Sequence, residues 1–275
     1  MITCNLMGGL GNQLFQIFAT LSYAFNNKEP FCFLHTETLG KRITYWNTFL
    51  SHLKKFTVNN LPKMHVIHES GFHYNELTFD SHHSNICLQG YFQSYKYFEN
   101  NYETICKFIK LEEQKTLIRN KYAHDYDTFT SMHFRVGDYK NIQQCHPIMS
   151  YEYYNNCMKY IMEKTNNTRL TIFYFCEKED DCIVGETINK LQIEHPSSNF
   201  IKIDFDIADW EQVLMMSLCR YNIIANSSFS WFGAYFNSHE DKIICYPEVW
   251  FGHALSNTHN TKDLCPNTWS KISCN

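Results

Sequence analysis

The chain has 275 residues, enough for one large domain or two modest ones, and its 44% hydrophobic content suffices for a packed core, which excludes a disordered chain. With 24 Lys and Arg against 28 Asp and Glu, the net charge of -4 excludes a broad basic surface for nucleic acid and confines any phosphate chemistry to a local site.

In chain order, Ile2 to Leu6 reads as a short buried strand, and Asn12 to Phe25 carries Leu14, Phe15, Ile17, Phe18 and Leu21 at the spacing of a helix face. Between them stand Gly8, Gly9 and Gly11, where missing side chains let backbone N–H groups approach an anion at a helix start. The string fits neither the dinucleotide fingerprint nor the P-loop, and a tight turn followed by an Asn12 helix cap has at least equal weight. A second strand is expected at Phe31 to His35, then helices and loops over Thr36 to Asn85.

The second half alternates regularly. Strand-like runs at Ser131 to Phe134, Leu170 to Cys176, Phe200 to Phe205, Asn222 to Ala225 and Lys242 to Tyr246 are separated by helix-length stretches. That rhythm predicts a parallel, Rossmann-like sheet covered by helices, with ligands beyond the carboxyl ends of the strands. The residues to inspect are therefore Arg135, Glu177, Asp206 and Ser227.

Arg135 follows a predicted strand with His133 before it and Asp138 after it. A guanidinium fork there suits two oxygens of a diphosphate, with Asp138 fixing the fork, while a purely structural Arg135–Asp138 pair has equal weight from spacing alone. Asn226 to Ser230 opens a helix with Trp231, Phe232, Tyr235 and Phe236. Ser227, Ser228 and Ser230 with the helix N–H groups form a second anion corner, against which stands the commoner reading of a serine cap on a core helix. Asp204 and Asp206 have the Asp-x-Asp form of a metal ligand pair, read here as mostly structural.

The first Lys is Lys28 and no apolar run approaches membrane-spanning length, so a cytosolic protein is expected. The 12 Cys, with Cys176–Cys182 and Cys265–Cys274 the nearest pairs, lack zinc-site spacing and are expected as free, mostly buried thiols.

Read together, these segments resemble glycosyltransferase family 11, the α-1,2-fucosyltransferases, over nearly the whole chain. Gly8-Gly9-Leu10-Gly11-Asn12-Gln13-Leu14-Phe15-Gln16 is similar to the family's opening G-G-L-G-N-Q-x-F-Q; Gly90-Tyr91-Phe92-Gln93-Ser94 with Tyr97-Phe98 resembles a second block. His133 to Tyr139 resembles H-x-R-R-G-D-Y, Leu218-Cys219 through Asn226 to Ala234 a third motif, and Lys242 to Pro247 with Trp250-Phe251 the last.

The resemblance implies a GT-B architecture of two Rossmann-like domains facing a cleft, with residues 1–122 an acceptor-side α/β domain and 123–275 the GDP-sugar-binding domain. It implies GDP-β-L-fucose as donor, a galactose-containing glycan as acceptor through its 2-hydroxyl, inversion at the anomeric carbon, and no cofactor or required metal, which counts against Asp204 and Asp206. Donor contacts carry over to Arg135 and His133, to the loop Gly8, Gly9, Leu10, Gly11 and Asn12, and to Ser227, Ser228, Phe229 and Ser230. Glu177 and Asp180 fall in the segment expected to meet guanosine, and Gln93, Ser94 and His146 are acceptor-side candidates. Arg135, Asn12, Asp138 and His133 form the catalytic set, with Asp138, His133 and His146 the candidates for a base.

Two departures stand out: Val136 replaces the motif's second Arg, and Gln212 an expected Asp near the guanine. The rival readings are a transferase of another nucleotide sugar, a catalytically silent glycan-binding homologue, against which Asn12, His133, Arg135 and Ser227 argue, and a metal-dependent enzyme using Asp204 and Asp206.

Overall fold

The computed structural model describes residues 1–79, 82 and 84–275. The chain divides into two compact units, residues 1–114 with 258–266, and 115–257 with 267–275. Both are α/β with parallel sheets.

In the first unit, β1 (Ile2–Cys4) is wholly buried and leads through the glycine loop into α1 (Leu10–Asn27). Gly9, in extended conformation, occupies the cap position, so Asn12 lies inside the first turn and is not the cap. The helix is buried on nearly every side as far as Ala24 and ends where Lys28 turns left-handed (φ 56) to donate to the Ala24 and Phe25 carbonyls.

Next come β2 (Phe33–Leu34), β3 (Thr38–Leu39), β4 (Arg42–Ile43), β5 (Thr57–Val58), β6 (His65–His68) and β7 (Ile86–Gln89). The main sheet has the order β1-β7-β6, all parallel, with Ile2 opposite Ile86 and Cys4 opposite Leu88. Among its described residues, Thr36 to Asn85 therefore holds short strands and one 3-10 helix (Ser51–Phe56), where helices and loops were expected. β6 reads His-Val-Ile-His and is mostly exposed at the sheet edge, so it lacks a buried strand's apolar signature.

Two helices follow, α2 (Tyr102–Phe108) and α3 (Leu111–Lys121). The expected boundary between residues 122 and 123 lies earlier, after Gln114. The reason is local bonding within the second unit: Lys115 Nζ donates to the Phe236 carbonyl (3.1 Å) and Ser238 Oγ (2.9 Å), while Lys121 and Tyr122 both bind the Glu211 carboxylate. Residues 258–266 rejoin the first unit, where Lys96 pairs with Asp263 at 2.5 Å.

The second unit has β8 (Phe129–His133), α4 (Tyr151–Thr165), β9 (Thr171–Phe175), α5 (Asp181–Glu194), β10 (Asn199–Lys202), α6 (Asp209–Leu218), β11 (Tyr221–Ile223), α7 (Ser228–Tyr235), β12 (Ile244–Pro247), α8 (His253–Ser256) and β13 (Ser270–Ile272). Its six strands are all parallel in the order β10-β9-β8-β11-β12-β13. The five expected strands are present with slightly shifted ends; β13 is an additional edge strand.

α4 shows how sequence builds this layer. Ser150 caps it by accepting from Tyr153 N–H at 3.3 Å, and Asn166 ends it at φ 53. Its Tyr153, Tyr154, Met158 and Ile161 pack into the core with Met132, Phe134 and Ile172, each burial worth roughly 1.5–3 kcal/mol. Tyr153 Oη donates to the Ile224 carbonyl (2.5 Å) and Tyr154 Oη to the His133 carbonyl (3.0 Å), fixing the ends of β11 and β8.

The cysteines are thiols outside any disulfide, and Cys4, Cys32, Cys87, Cys157, Cys219, Cys245 and Cys265 are buried. Among the described residues no helix is long and apolar enough to cross a membrane.

Candidate active site

In a doubly wound sheet of this order the strands on either side of β8 and β11 are reached by connections running in opposite directions. The loops at their carboxyl ends part there and leave a crevice, which is where such sheets take their ligands. Arg135 lies on the loop leaving β8, and Ser227 follows β11.

Arg135 is held from two directions. Nη1 donates to Glu177 Oε1 at 2.5 Å, from the loop after β9, and Nη2 donates to Asp138 Oδ1 in its own turn. Its guanidinium carbon lies 5.0 Å from the centre of the Tyr139 ring, whose hydroxyl donates to the Asn226 carbonyl at 3.1 Å. The fork has five N–H groups, of which the two carboxylates use one each. The side chain is only 16% exposed, so its charge is felt through a less screening medium than water. The Arg135–Asp138 pair of the structural reading is formed.

The turn itself is anchored from below. Gly137 (φ +31) donates its N–H to Asp180 Oδ2 at 2.6 Å, and Lys140 Nζ meets Asp180 Oδ1 at 2.6 Å. Asp180, expected to meet guanosine, is 1% exposed, with Oδ2 on the Gly137 N–H and Oδ1 in the ion pair with Lys140, and it anchors this turn. A side chain at Gly137 would begin 2.9 Å from Glu177 Oε2, so the glycine makes room for that carboxylate.

His133 ends β8. It is 7% exposed, its ring lies 5.3 Å from that of Phe229 on α7, and its Nδ1 has no hydrogen-bond partner among the described residues. Burial, with the Arg135 charge beside it, pushes its pKa down to about 3, so the imidazole is neutral at physiological pH. Ser227 accepts from Phe229 N–H at 3.3 Å, the ordinary serine cap, and Ser230 Oγ turns back to the Ser227 carbonyl at 3.4 Å. Ser228 and Phe229 are half-buried on the first turn of α7.

Asn226 Nδ2 donates to the carbonyls of Pro147 and Trp250, both at 3.0 Å, and its buried Oδ1 has no partner among the described residues. His146 stacks on Tyr139 (4.8 Å, 23°) and meets Phe251 at 5.4 Å.

The carboxyl edge of the first unit's sheet is built differently. Gly8 takes φ +78, and a side chain there would begin 2.5 Å from Asn12 Nδ2. Gln16 donates to the Met7 carbonyl and accepts from Met7 N–H, and Gln13 Nε2 donates to the Gly8 carbonyl (3.0 Å) and the Ile43 carbonyl (2.8 Å). Two buried amides thus shape the loop. Asn12 Oδ1 accepts from Gln93 Nε2 at 2.9 Å, joining the first turn of α1 to the loop after β7.

Gln93 follows Phe92, which is buried at φ 53, a left-handed conformation costly for a non-glycine residue. The Glu69 carboxylate, just after β6, holds this bend by accepting Tyr91 N–H at 2.8 Å, and burial raises its pKa. Ser94, an acceptor-side candidate, is fully buried and donates to the Asp263 carbonyl at 2.7 Å, so it braces the interior and presents no hydroxyl to a sugar.

Val136, which replaces the motif's second Arg, packs in the core with Phe134. Gln212 Nε2 donates to the Ile207 carbonyl at 2.8 Å and holds the turn before α6. Asp204 accepts from Asp206 N–H at 3.0 Å in a local turn, and no group of three or more potential metal ligands is found among the described residues.

Sequence reasoning missed Glu69, Lys140 and the clamping roles of Gln13 and Gln16. The glutamines were visible as polar residues on an otherwise apolar helix, whereas Glu69 and Lys140 act through loops and carry no local signal.

No protein-family model matches the chain. The O-antigen biosynthesis glycosyltransferase WbnK of Escherichia coli is 27% identical to it over 195 residues, 68% of this chain and 60% of that protein. An alpha-1,2-colitosyltransferase of Escherichia coli is 25% identical over 98% of both chains. Among solved structures, the E. coli ADP-heptose lps heptosyltransferase II overlaps 58% of this chain and 43% of its own, with 13% identity and a TM-score of 0.37. The chain is thus similar in sequence to glycosyltransferases along its full length.

Proposed function

We propose that the protein is a metal-independent, inverting glycosyltransferase of the cytosol that moves L-fucose from GDP-β-L-fucose to a hydroxyl of a galactose-containing glycan, the 2-hydroxyl by preference. The observation that carries this reading is the meeting of Arg135, His133 and the first turn of α7 at the switch point of a doubly wound sheet. The full-length likeness to a colitosyltransferase supports it.

In this reading the acceptor oxygen attacks the anomeric carbon from the face opposite the nucleotide. The carbon–oxygen bond to the diphosphate breaks, and the electron pair leaves with GDP. Arg135 meets the growing negative charge; because the fork is already aimed and little exposed, it stabilises the transition state without reorganising. The N–H groups at the start of α7 add a second, uncharged set of donors.

His133, neutral with an unpartnered Nδ1, serves as a hydrogen-bonding partner for the donor, since a buried nitrogen left without a partner points to a group that arrives with the ligand. Its low pKa makes it a poor proton acceptor, and Asp138, bound to the fork on the nucleotide's side, is ill placed for a hydroxyl on the opposite face, which leaves His146 as the candidate base. Asn12, fixed by Gln93, orients the acceptor hydroxyl.

A second reading, transfer of colitose or another deoxy sugar, is favoured specifically by the name of the relative that matches end to end. The test is release of GDP from GDP-fucose in EDTA with a galactose-terminated acceptor, run beside GDP-colitose and a UDP-sugar. Preference for GDP-fucose supports the proposal, preference for GDP-colitose supports the second reading, and turnover of the UDP-sugar alone or a metal requirement contradicts both.

A further inference from the structure

The charges around Arg135 do not favour an anion as they stand. Arg135 and Lys140 face Asp138, Glu177 and Asp180, so the ion-paired group carries one more negative charge than positive. A diphosphate brought to this fork meets two carboxylates already on it.

The three acids differ in how they are held. Asp180 is buried and fixed by Gly137 N–H and Lys140. Asp138 belongs to the same short turn as Arg135, three residues along, and that turn is closed by Tyr139 N–H on the Val136 carbonyl. Glu177 comes from another strand end, its side chain is 50% exposed, and it touches the fork across the gap left by Gly137. It alone combines a foreign origin, a flexible side chain and an open path to solvent.

We propose that the Glu177 carboxylate stands in for the donor diphosphate: it holds Arg135 Nη1 in the free protein and is displaced when a nucleoside diphosphate binds, so that Glu177 sets how tightly the diphosphate is held. This rests on the reading of Arg135 as the diphosphate-binding residue. The physical basis is competition between two anions for one N–H fork, with the protein's own anion tethered and therefore present at high effective concentration. The same exchange speeds product departure, because the returning carboxylate takes the fork back from GDP.

The test is calorimetric binding of inorganic pyrophosphate and of GDP to the wild type, Glu177→Gln, Glu177→Ala, Arg135→Ala and the Glu177→Gln/Arg135→Ala double variant, with melting curves to establish folding. Pyrophosphate lacks a ribose, so its response isolates the diphosphate contact. The proposal predicts roughly tenfold tighter binding of both ligands in each Glu177 single variant, and loss of that gain when Arg135 is absent. Unchanged or weaker pyrophosphate binding in both folded Glu177 variants overturns it, including the case in which GDP alone weakens, which assigns Glu177 to the nucleoside. Wild-type binding of both ligands by Arg135→Ala, or no binding by any of the proteins, overturns the reading of Arg135 as well.

Discussion

The carboxyl ends of the two sheets are built from opposite materials. At the six-stranded sheet the loops carry full charges, with Arg135 between Asp138 and Glu177 and the turn tied down by Asp180 and Lys140. At the three-stranded sheet the side chains that meet are mainly amides, Gln13, Gln16, Gln93 and Asn12, with Glu69 behind them. Charge suits a leaving group that becomes more anionic as its bond breaks, whereas neutral amides suit a hydroxyl that needs direction and little else. Under the proposed function, donor chemistry belongs to the first of these edges and acceptor orientation to the second.

The sharpest way to break this contrast is Arg135→Ala. Its loss is expected to lower kcat by about a thousandfold and to weaken GDP as well, in a variant that melting curves show to be folded, because the diphosphate loses its charge partner in the bound donor and more so in the transition state. Asn12→Ala is expected to cost about a hundredfold in kcat with little change in GDP affinity; a matching loss of GDP affinity would move Asn12 to the donor side.

Gln93→Leu removes one partner of Asn12 and is expected to cost roughly tenfold in kcat/KM for the acceptor, measured with donor saturating. Gly8→Ala attacks the same point through the backbone. With φ +78 and only 2.5 Å to Asn12 Nδ2, the added methyl is expected to cost about 1–2 kcal/mol of stability in urea titration and to displace Asn12.

The smallest effect concerns His133. Its pKa is lowered in the folded protein from 6.5 to about 3, so as pH falls below 6.5 the unfolded chain takes a proton that the folded one refuses. Stability contributed by the neutral ring is complete above 6.5 and is lost on acidification, at up to about 1.4 kcal/mol per pH unit. Urea titrations between pH 6.5 and 5 are expected to lose part of this slope in His133→Asn. An identical slope in the variant would place the proton elsewhere, for example on His195, whose pKa burial also lowers.

The second unit was the more legible in the sequence, for a physical reason. A parallel sheet buries both faces, so its interior strands are near-continuous apolar runs, and the chemistry follows each run at a predictable place. Arg135, Glu177 and Ser227 do follow strands β8, β9 and β11 as expected, whereas Asp206 lies in a local turn with Asp204, and the partner of Glu177 was not foreseen. The edge strand β13, short and partly exposed, left no such run.

The first unit hid more. β6 carries two histidines and is mostly exposed, and β7 is only four residues long. The left-handed Phe92 is invisible to residue preference because surrounding structure, including the Glu69 carboxylate, imposes it. Ser94 was misjudged because spacing along the chain does not say which way a loop residue points, and it points inward.

The most direct measurement of the central claim is equilibrium binding of GDP, in EDTA, to the wild type and to Arg135→Ala of equal melting temperature. The account predicts saturable binding by the wild type and at least a hundredfold weakening in the variant, with UDP bound more weakly than GDP by the wild type. Equal GDP affinity in the two proteins would contradict it.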